Sequence, residues 1–331
     1  MSALTRRELL LAVPGLAVAR RLLAQAGPPP LRVLGISQVT LAVSDVARSV
    51  GFYQRLFGLP VQARQGEAVL LRLGAGPHFL KIGPAGPAAP RIDHWGLAVP
   101  DFEVASVLSS LNALGVGRAI GGQGLSGGPL RVRVSTREGT PELFLGDPDG
   151  LVMQLQDPSY CGGTGLLGAE CGAVEPAPPG APLPLFGLSH LTINVPDPDA
   201  SNAFYRRTFG MDIQAYQAAA PLLGVGPGRE FLMFTAGGGR GAAAARVNHA
   251  CFTLPSFGVA RIQGALEAHG VRPRGDGQTG PLLHWISLRM PNRGGVPEGT
   301  PELYFSDPDG LSIQLQDVTY CGGGGYLGET C

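Results

Sequence analysis

Two hydrophobic periods alternate along the chain. Residues 36–43 alternate apolar and polar positions as a strand does, and then Val46, Val50, Tyr53 and Phe57 recur at helical spacing. Gly58 follows the last of them, where a helix C-terminus favours glycine. Short apolar runs at 69–73 and 79–82, separated by Gly and Pro, predict strands. The cycle then restarts with a strand at 94–99, a helix over 102–114 closed by Gly115, and strands near 130–134, 142–145 and 151–156. Strands at 190–195 and 249–254, with helices over 199–209 and 257–269, repeat it twice more. The pattern predicts four βαβββ units in an α+β fold, with helices on one side of each sheet.

The units are copies. Glu138-Gly139-Thr140-Pro141-Glu142-Leu143 returns as Glu298-Gly299-Thr300-Pro301-Glu302-Leu303, and Asp147-Pro148-Asp149-Gly150-Leu151 returns as Asp307-Pro308-Asp309-Gly310-Leu311, both 160 residues later. Phe52-Tyr53-Gln54-Arg55-Leu56-Phe57-Gly58 matches Phe204-Tyr205-Arg206-Arg207-Thr208-Phe209-Gly210 at an offset of 152, so the second copy carries extra loop residues. Two tandem modules follow, 35–172 and 187–331, joined by a proline-rich, extended linker at 173–186.

Charge and composition narrow the function. Lysine plus arginine is 25 and aspartate plus glutamate is 25, so the chain lacks the basic excess of a nucleic-acid binder. No apolar run reaches the roughly 20 residues of a membrane span. Segment 1–26 carries Arg6-Arg7, an apolar stretch and Ala24-Gln25-Ala26, a small-x-small cleavage site. It resembles a twin-arginine export signal and predicts a periplasmic or secreted protein; the other reading is an amphipathic helix, against which Pro14-Gly15 argues. The cysteines agree with export. Cys161 and Cys171 are ten residues apart, as are Cys321 and Cys331, and each pair would close a Gly-rich loop as a disulfide. A thiolate metal site is the other use of such pairs, but this is not a zinc spacing. Cys251 is left as a buried free thiol.

The Phe-Tyr-x-x-x-Phe-Gly helix, the Asp-Pro-Asp-Gly turn before each module's last strand and the histidines opening the units resemble the vicinal oxygen chelate superfamily: glyoxalase I, bleomycin- and fosfomycin-resistance proteins and extradiol dioxygenases. The resemblance implies that each module curls its mixed sheet into a cup with helices outside. Two modules in tandem are most similar to the extradiol dioxygenases, which imply a divalent metal, Fe(II) or Mn(II) first and Zn(II) or Ni(II) next, and a small substrate such as an aromatic diol. A homo-oligomer is left open.

Carried over by residue, the resemblance offers His190, His249 and Gln314 as metal ligands in module 2, and Gln38, His94 and Gln154 in module 1. Two neutral imidazoles and a carboxylate on one face suit such an ion. Here Gln replaces the carboxylate in both modules, as in glyoxalase I members that use an amide ligand. Module 1 keeps one imidazole and is expected to be a degenerate site. Tyr304 matches the extradiol tyrosine, and module 1 has Phe144 instead. The family's two further histidines have no counterparts, since 295–297 reads Gly-Val-Pro and 229–235 holds none. His284 is the candidate substitute, and Tyr304 and His284 are the expected catalytic pair. An isomerase, lyase or metal-free ligand-binding protein are the competing functions. The Asp-Pro-Asp-Gly turns receive no catalytic role.

Overall fold

The computed structural model describes residues 31–121, 124–237, 244–291 and 296–331. The expected export segment 1–26 lies outside them. Module 1 runs β1 (Gly35–Val43), α1 (Val46–Phe57), β2 (Val61–Gln65), β3 (Ala68–Arg72), β4 (Phe79–Pro84), β5 (Arg91–Ala98), α2 (Val104–Ala113), β6 (Gly117–Arg118), β7 (Arg131–Arg137), β8 (Thr140–Gly146) and β9 (Val152–Gln156). Module 2 repeats the order with β10 (Gly187–Asn194), α3 (Pro198–Phe209), β11 (Ile213–Gln217), β12 (Ala220–Gly224), β13 (Phe231–Thr235), β14 (Arg246–Leu254), α4 (Val259–Ala268), β15 (Arg272–Pro273), β16 (Leu283–Arg289), β17 (Thr300–Ser306) and β18 (Ser312–Asp317).

Each module is one curled nine-stranded mixed sheet, ordered β2-β3-β4-β1-β5-β9-β8-β7-β6 and β11-β12-β13-β10-β14-β18-β17-β16-β15. The opening strands of the two units, β1 with β5 and β10 with β14, pair antiparallel at the sheet centre. The histidines that open the units are thereby brought together. Two elements of each module were not located by the hydrophobic pattern: β2 or β11 after the first helix, and a two-residue strand, β6 or β15, that extends each second unit. Two residues are too few to show a period.

The helices begin and end as their sequences require. Asp45 Oδ1 accepts from the Arg48 N–H at the start of α1, and Asp197 accepts from Asp199 and Ala200 at the start of α3, where Pro198 fits the first turn. Gly58 and Gly210 end them at φ 69° and 66°, a left-handed conformation that costs glycine little. The buried faces of α1 and α3 lie outside the cups and also meet the other module. Phe52 and Phe57 pack on Phe305 of β17 at 6.1 and 6.0 Å between ring centroids. One continuous apolar core, from Leu31 to Leu315, therefore serves both modules. Each large side chain fully buried in it contributes roughly 1.5–3 kcal/mol.

The Asp-Pro-Asp-Gly turns do more than turn. Asp147 Oδ1 accepts the Asp149 and Leu151 N–H groups, while its Oδ2 accepts the Tyr205 hydroxyl of the other module at 3.0 Å. Asp307 does the same for Asp309, Leu311 and, at 3.2 Å, Tyr53. Gly74 and Gly226 are also matched across the seam: a Cβ on Gly74 would stand 2.1 Å from Phe186 O, and one on Gly226 2.2 Å from Leu34 O. Both need glycine for that approach and for a positive φ. Cys161–Cys171 and Cys321–Cys331 are disulfides with Cα atoms 6.3 Å apart in each, and Cys251 is a buried free thiol.

Candidate active site in the second cup

Strand pairing decides which side chains share the concave face. His190 stands opposite Cys251, Cys251 opposite Gln314, Gln314 opposite Tyr304, and Tyr304 opposite Trp285. Residues directly opposite share a face, so these five form one row across five strands. A second row, displaced by two residues, runs Met233, Thr192, His249. The three expected ligands thus meet at the floor of module 2's cup, at 3%, 5% and 0% exposure for His190, His249 and Gln314. His190 Nε2 lies 3.2 Å from Gln314 Oε1, and the two imidazole centroids are 5.6 Å apart, edge to face. His190 stacks on Phe231 at 4.2 Å.

The outer nitrogens of both rings are anchored. Ser189 Oγ lies 3.1 Å from His190 Nδ1, and Asn248 Oδ1 lies 2.8 Å from His249 Nδ1. With its proton given to Asn248, His249 carries a lone pair on Nε2, and that buried atom has no hydrogen-bond partner; neither has Gln314 Nε2. Burial pushes the His190 imidazole well below its usual range, with the His249 and Arg289 charges adding. His249 is pushed down to about 3, by burial first and Arg289 second, while the Gln314 amide pulls weakly the other way without an aligned bond to Nε2. Both rings are neutral at neutral pH, the state a metal ligand requires. Among the described residues no three His, Cys, Asp or Glu side chains come together as a metal cluster. The third donor at this floor is the Gln314 amide oxygen.

Tyr304 stands beside His249, centroid to centroid 5.2 Å and edge to face. Its hydroxyl donates to Glu302 Oε2 at 2.7 Å. Glu302 is fully buried; Arg289 Nη2 reaches the same oxygen at 2.6 Å, and the Tyr320 hydroxyl donates to Oε1 at 2.7 Å. Burial, then Glu302, raises the Tyr304 phenol well above its usual range, so it stays protonated. His284 does not join this group. It sits opposite Phe305, on the convex face, where its Nε2 lies 3.2 Å from Glu267 of α4. Trp285, one residue on, takes the cup position and stacks on Tyr304 at 5.4 Å. His269 ends α4, its Nδ1 2.8 Å from the Ala265 carbonyl. Sequence reasoning noted Glu302 as a carboxylate near Gln314 without giving it a role, and passed over Arg289. The signal was available, since both lie at even offsets from Tyr304 or Trp285 and share their face.

Above the floor lies a cavity of about 460 Å³, lined among others by Thr192, Met233, Asn248, His249, Trp285, Arg289 and Tyr304.

In module 1 the same positions close up. Gln38 Nε2 donates to Gln154 Oε1 at 2.5 Å, Asp93 lies 2.7 Å from His94 Nδ1, and Thr40 Oγ1 lies 3.1 Å from His94 Nε2. Lys81 stands where module 2 has Met233, opposite the threonine.

The sequence profile of the Glyoxalase/Bleomycin resistance protein/Dioxygenase superfamily matches residues 35–124 and 187–315. The chain belongs to this superfamily. No protein with a curated description matches it in sequence. Similar solved structures include a Mn(II)-bound glyoxalase from Novosphingobium aromaticivorans, 16% identical with a TM-score of 0.57, covering 86% of this chain and 82% of that one. A catechol 2,3-dioxygenase is 14% identical with a TM-score of 0.58, covering 86% and 88%. The 2,3-dioxygenase LapB from Pseudomonas sp. KL28 is 17% identical with a TM-score of 0.58, covering 86% and 92%. At these identities the likeness is one of fold.

Proposed function

We propose that module 2 is the active centre of an exported metalloenzyme that binds two adjacent oxygens of a small substrate, as an extradiol catechol dioxygenase does. The observation that carries the reading is the partnerless, buried His249 Nε2, side by side with His190 and the Gln314 amide oxygen. Nitrogen and amide-oxygen donors suit Fe(II) or Mn(II), and Zn(II) or Ni(II) after them. A divalent ion held there supplies Lewis acidity to the chelated oxygens. Ser189 and Asn248 orient the two imidazoles from behind. Tyr304 Oη can take a proton from a substrate hydroxyl while passing its own to Glu302 Oε2. Burial of the floor keeps bulk water from the reacting oxygens.

A second reading, a glyoxalase-type isomerase or lyase, rests on Gln314. An amide adds no negative charge, so a bound cation keeps more of its polarising power than beside a carboxylate. Elemental analysis of untagged protein, with oxygen uptake on catechol and turnover of a glutathione hemithioacetal, tests both. About one Mn or Fe per chain with oxygen uptake supports the dioxygenase; metal with hemithioacetal turnover supports the isomerase. Absence of metal after reconstitution overturns both in favour of a small-ligand binding protein.

A further inference from the structure

We infer that the module 2 cup takes an organic anion, a small carboxylate-bearing compound, held by Arg289 and Arg246. The inference deepens the reading of this cup as the active centre by naming the charge class of its substrate. The described residues lining the cavity include Arg246, Arg289 and His249 and no aspartate or glutamate. The one carboxylate near by, Glu302, is fully buried and occupied at both oxygens by Arg289, Tyr304 and Tyr320.

Arg289 is tied on one side only. Its Nη2 bonds Glu302, its Nε is buried without a partner, and its side chain remains 30% exposed. The matching Arg137 of module 1 has no such vacancy: Nε donates to Glu142 at 2.9 Å and Nη2 to the Gly162 and Gly163 carbonyls at 3.2 and 2.9 Å. A guanidinium held through Nη2 by Glu302 and Tyr304, with part of its side chain open to the cavity, can receive a carboxylate oxygen at its remaining end. Arg246, the first residue of β14, is exposed and makes no ion pair with the described residues. His190, His249 and Gln314 bring no negative charge to the floor. With Arg289 paired to Glu302, the charge left without an ion-pair partner among the described lining residues is that of Arg246.

The test is isothermal titration of chelator-stripped protein with benzoate and with benzamide, and of Mn(II)-loaded protein with 3,4-dihydroxybenzoate and with catechol. Benzoate should bind stripped protein about tenfold more tightly than benzamide, and the dihydroxybenzoate should be preferred over catechol by a similar factor. Arg246→Ala should weaken benzoate about threefold to tenfold, and Arg289→Lys about tenfold or more. Equal binding of benzoate and benzamide, or unchanged benzoate affinity in both variants, would overturn the inference. Tighter binding of inorganic phosphate than of benzoate would also overturn it. If Arg289→Lys fails to fold, Arg246→Ala alone decides. The benzoate arm needs no metal, so a protein that binds no Mn(II) would sink the metalloenzyme reading and leave this inference to stand or fall separately.

Discussion

The two cups share a backbone and differ in what their polar atoms have left to do. In module 1, Thr40 caps His94 Nε2, the Gln38 and Gln154 amides bond each other, and Lys81 adds a cation whose Nζ lies 2.6 Å from Gln65 Oε1. In module 2, Met233 replaces Lys81, and Thr192 faces its sulfur at 4.0 Å rather than the imidazole, leaving His249 Nε2 unpartnered. A buried donor or acceptor without a partner costs roughly 1–3 kcal/mol. Both cups carry such a cost, but at different atoms: module 1 leaves Gln38 Oε1 and Gln154 Nε2 unpartnered and caps its imidazole, whereas module 2 leaves an imidazole nitrogen free. A family position thus says little by itself about whether a site works; the neighbours of each ligand atom say more.

The sharpest break of this comparison is ligand removal. His190→Ala or His249→Ala should weaken Mn(II) or Fe(II) binding about 100-fold, and His94→Ala should leave stoichiometry and affinity unchanged, as read by titration against a competing chelator. Equal loss from His94→Ala would place the metal in the wrong cup. Met233→Lys should transplant module 1's cation and reduce metal affinity about tenfold or more through like-charge repulsion. Retained affinity would show that Lys81 is not what closes the first cup.

Where the modules are alike, the effects should match. Each disulfide closes a loop of the same length, so Cys161→Ser with Cys171→Ser and Cys321→Ser with Cys331→Ser should each cost about 3 kcal/mol in denaturant unfolding. A several-fold difference between the two double variants would mean that the loops are not equivalent.

The seam adds an asymmetry of its own. Glu230, which accepts the Ile36 N–H from the other module, stands where module 1 has His78, and burial raises its carboxyl to about 8. A folded pKa above the unfolded value makes this group's contribution full below about pH 4.5 and lost as the pH rises through about 8. Glu230→Gln should therefore melt like the parent at pH 4 and be more stable at pH 8.5, by about 1–3 kcal/mol. A constant difference between the two pH values would refute a titrating Glu230. The smallest effects belong to the paired clamps: Tyr53→Phe and Tyr205→Phe should each cost about 1 kcal/mol in equilibrium unfolding, and equally. Unequal costs would show that one Asp-Pro-Asp-Gly turn holds the seam alone.

The sequence determined the local and the periodic. Strand alternation, the stripe through Val46, Val50, Tyr53 and Phe57 and the closing glycines are read from neighbours a few residues apart. The resemblance to the superfamily, carried over residue by residue, assigned His190, His249 and Gln314 to the strands that open the two units of module 2 and that follow its Asp-Pro-Asp-Gly turn. Tertiary structure alone decided the rest. One residue of parity turned His284 to the convex face and gave the cup to Trp285. The turn aspartates became clamps only because α1 and α3 cross to the opposite module. Glu302 and Arg289 joined the site through the pairing of β16 with β17, a register between strands that no local pattern encodes. Thr40 caps the imidazole nitrogen in one cup, and in the other Thr192 faces Met233, some 40 residues away in the chain, and leaves it free. Periodicity in a sequence carries no term for a contact of that kind, since it arises only when the strands lie side by side.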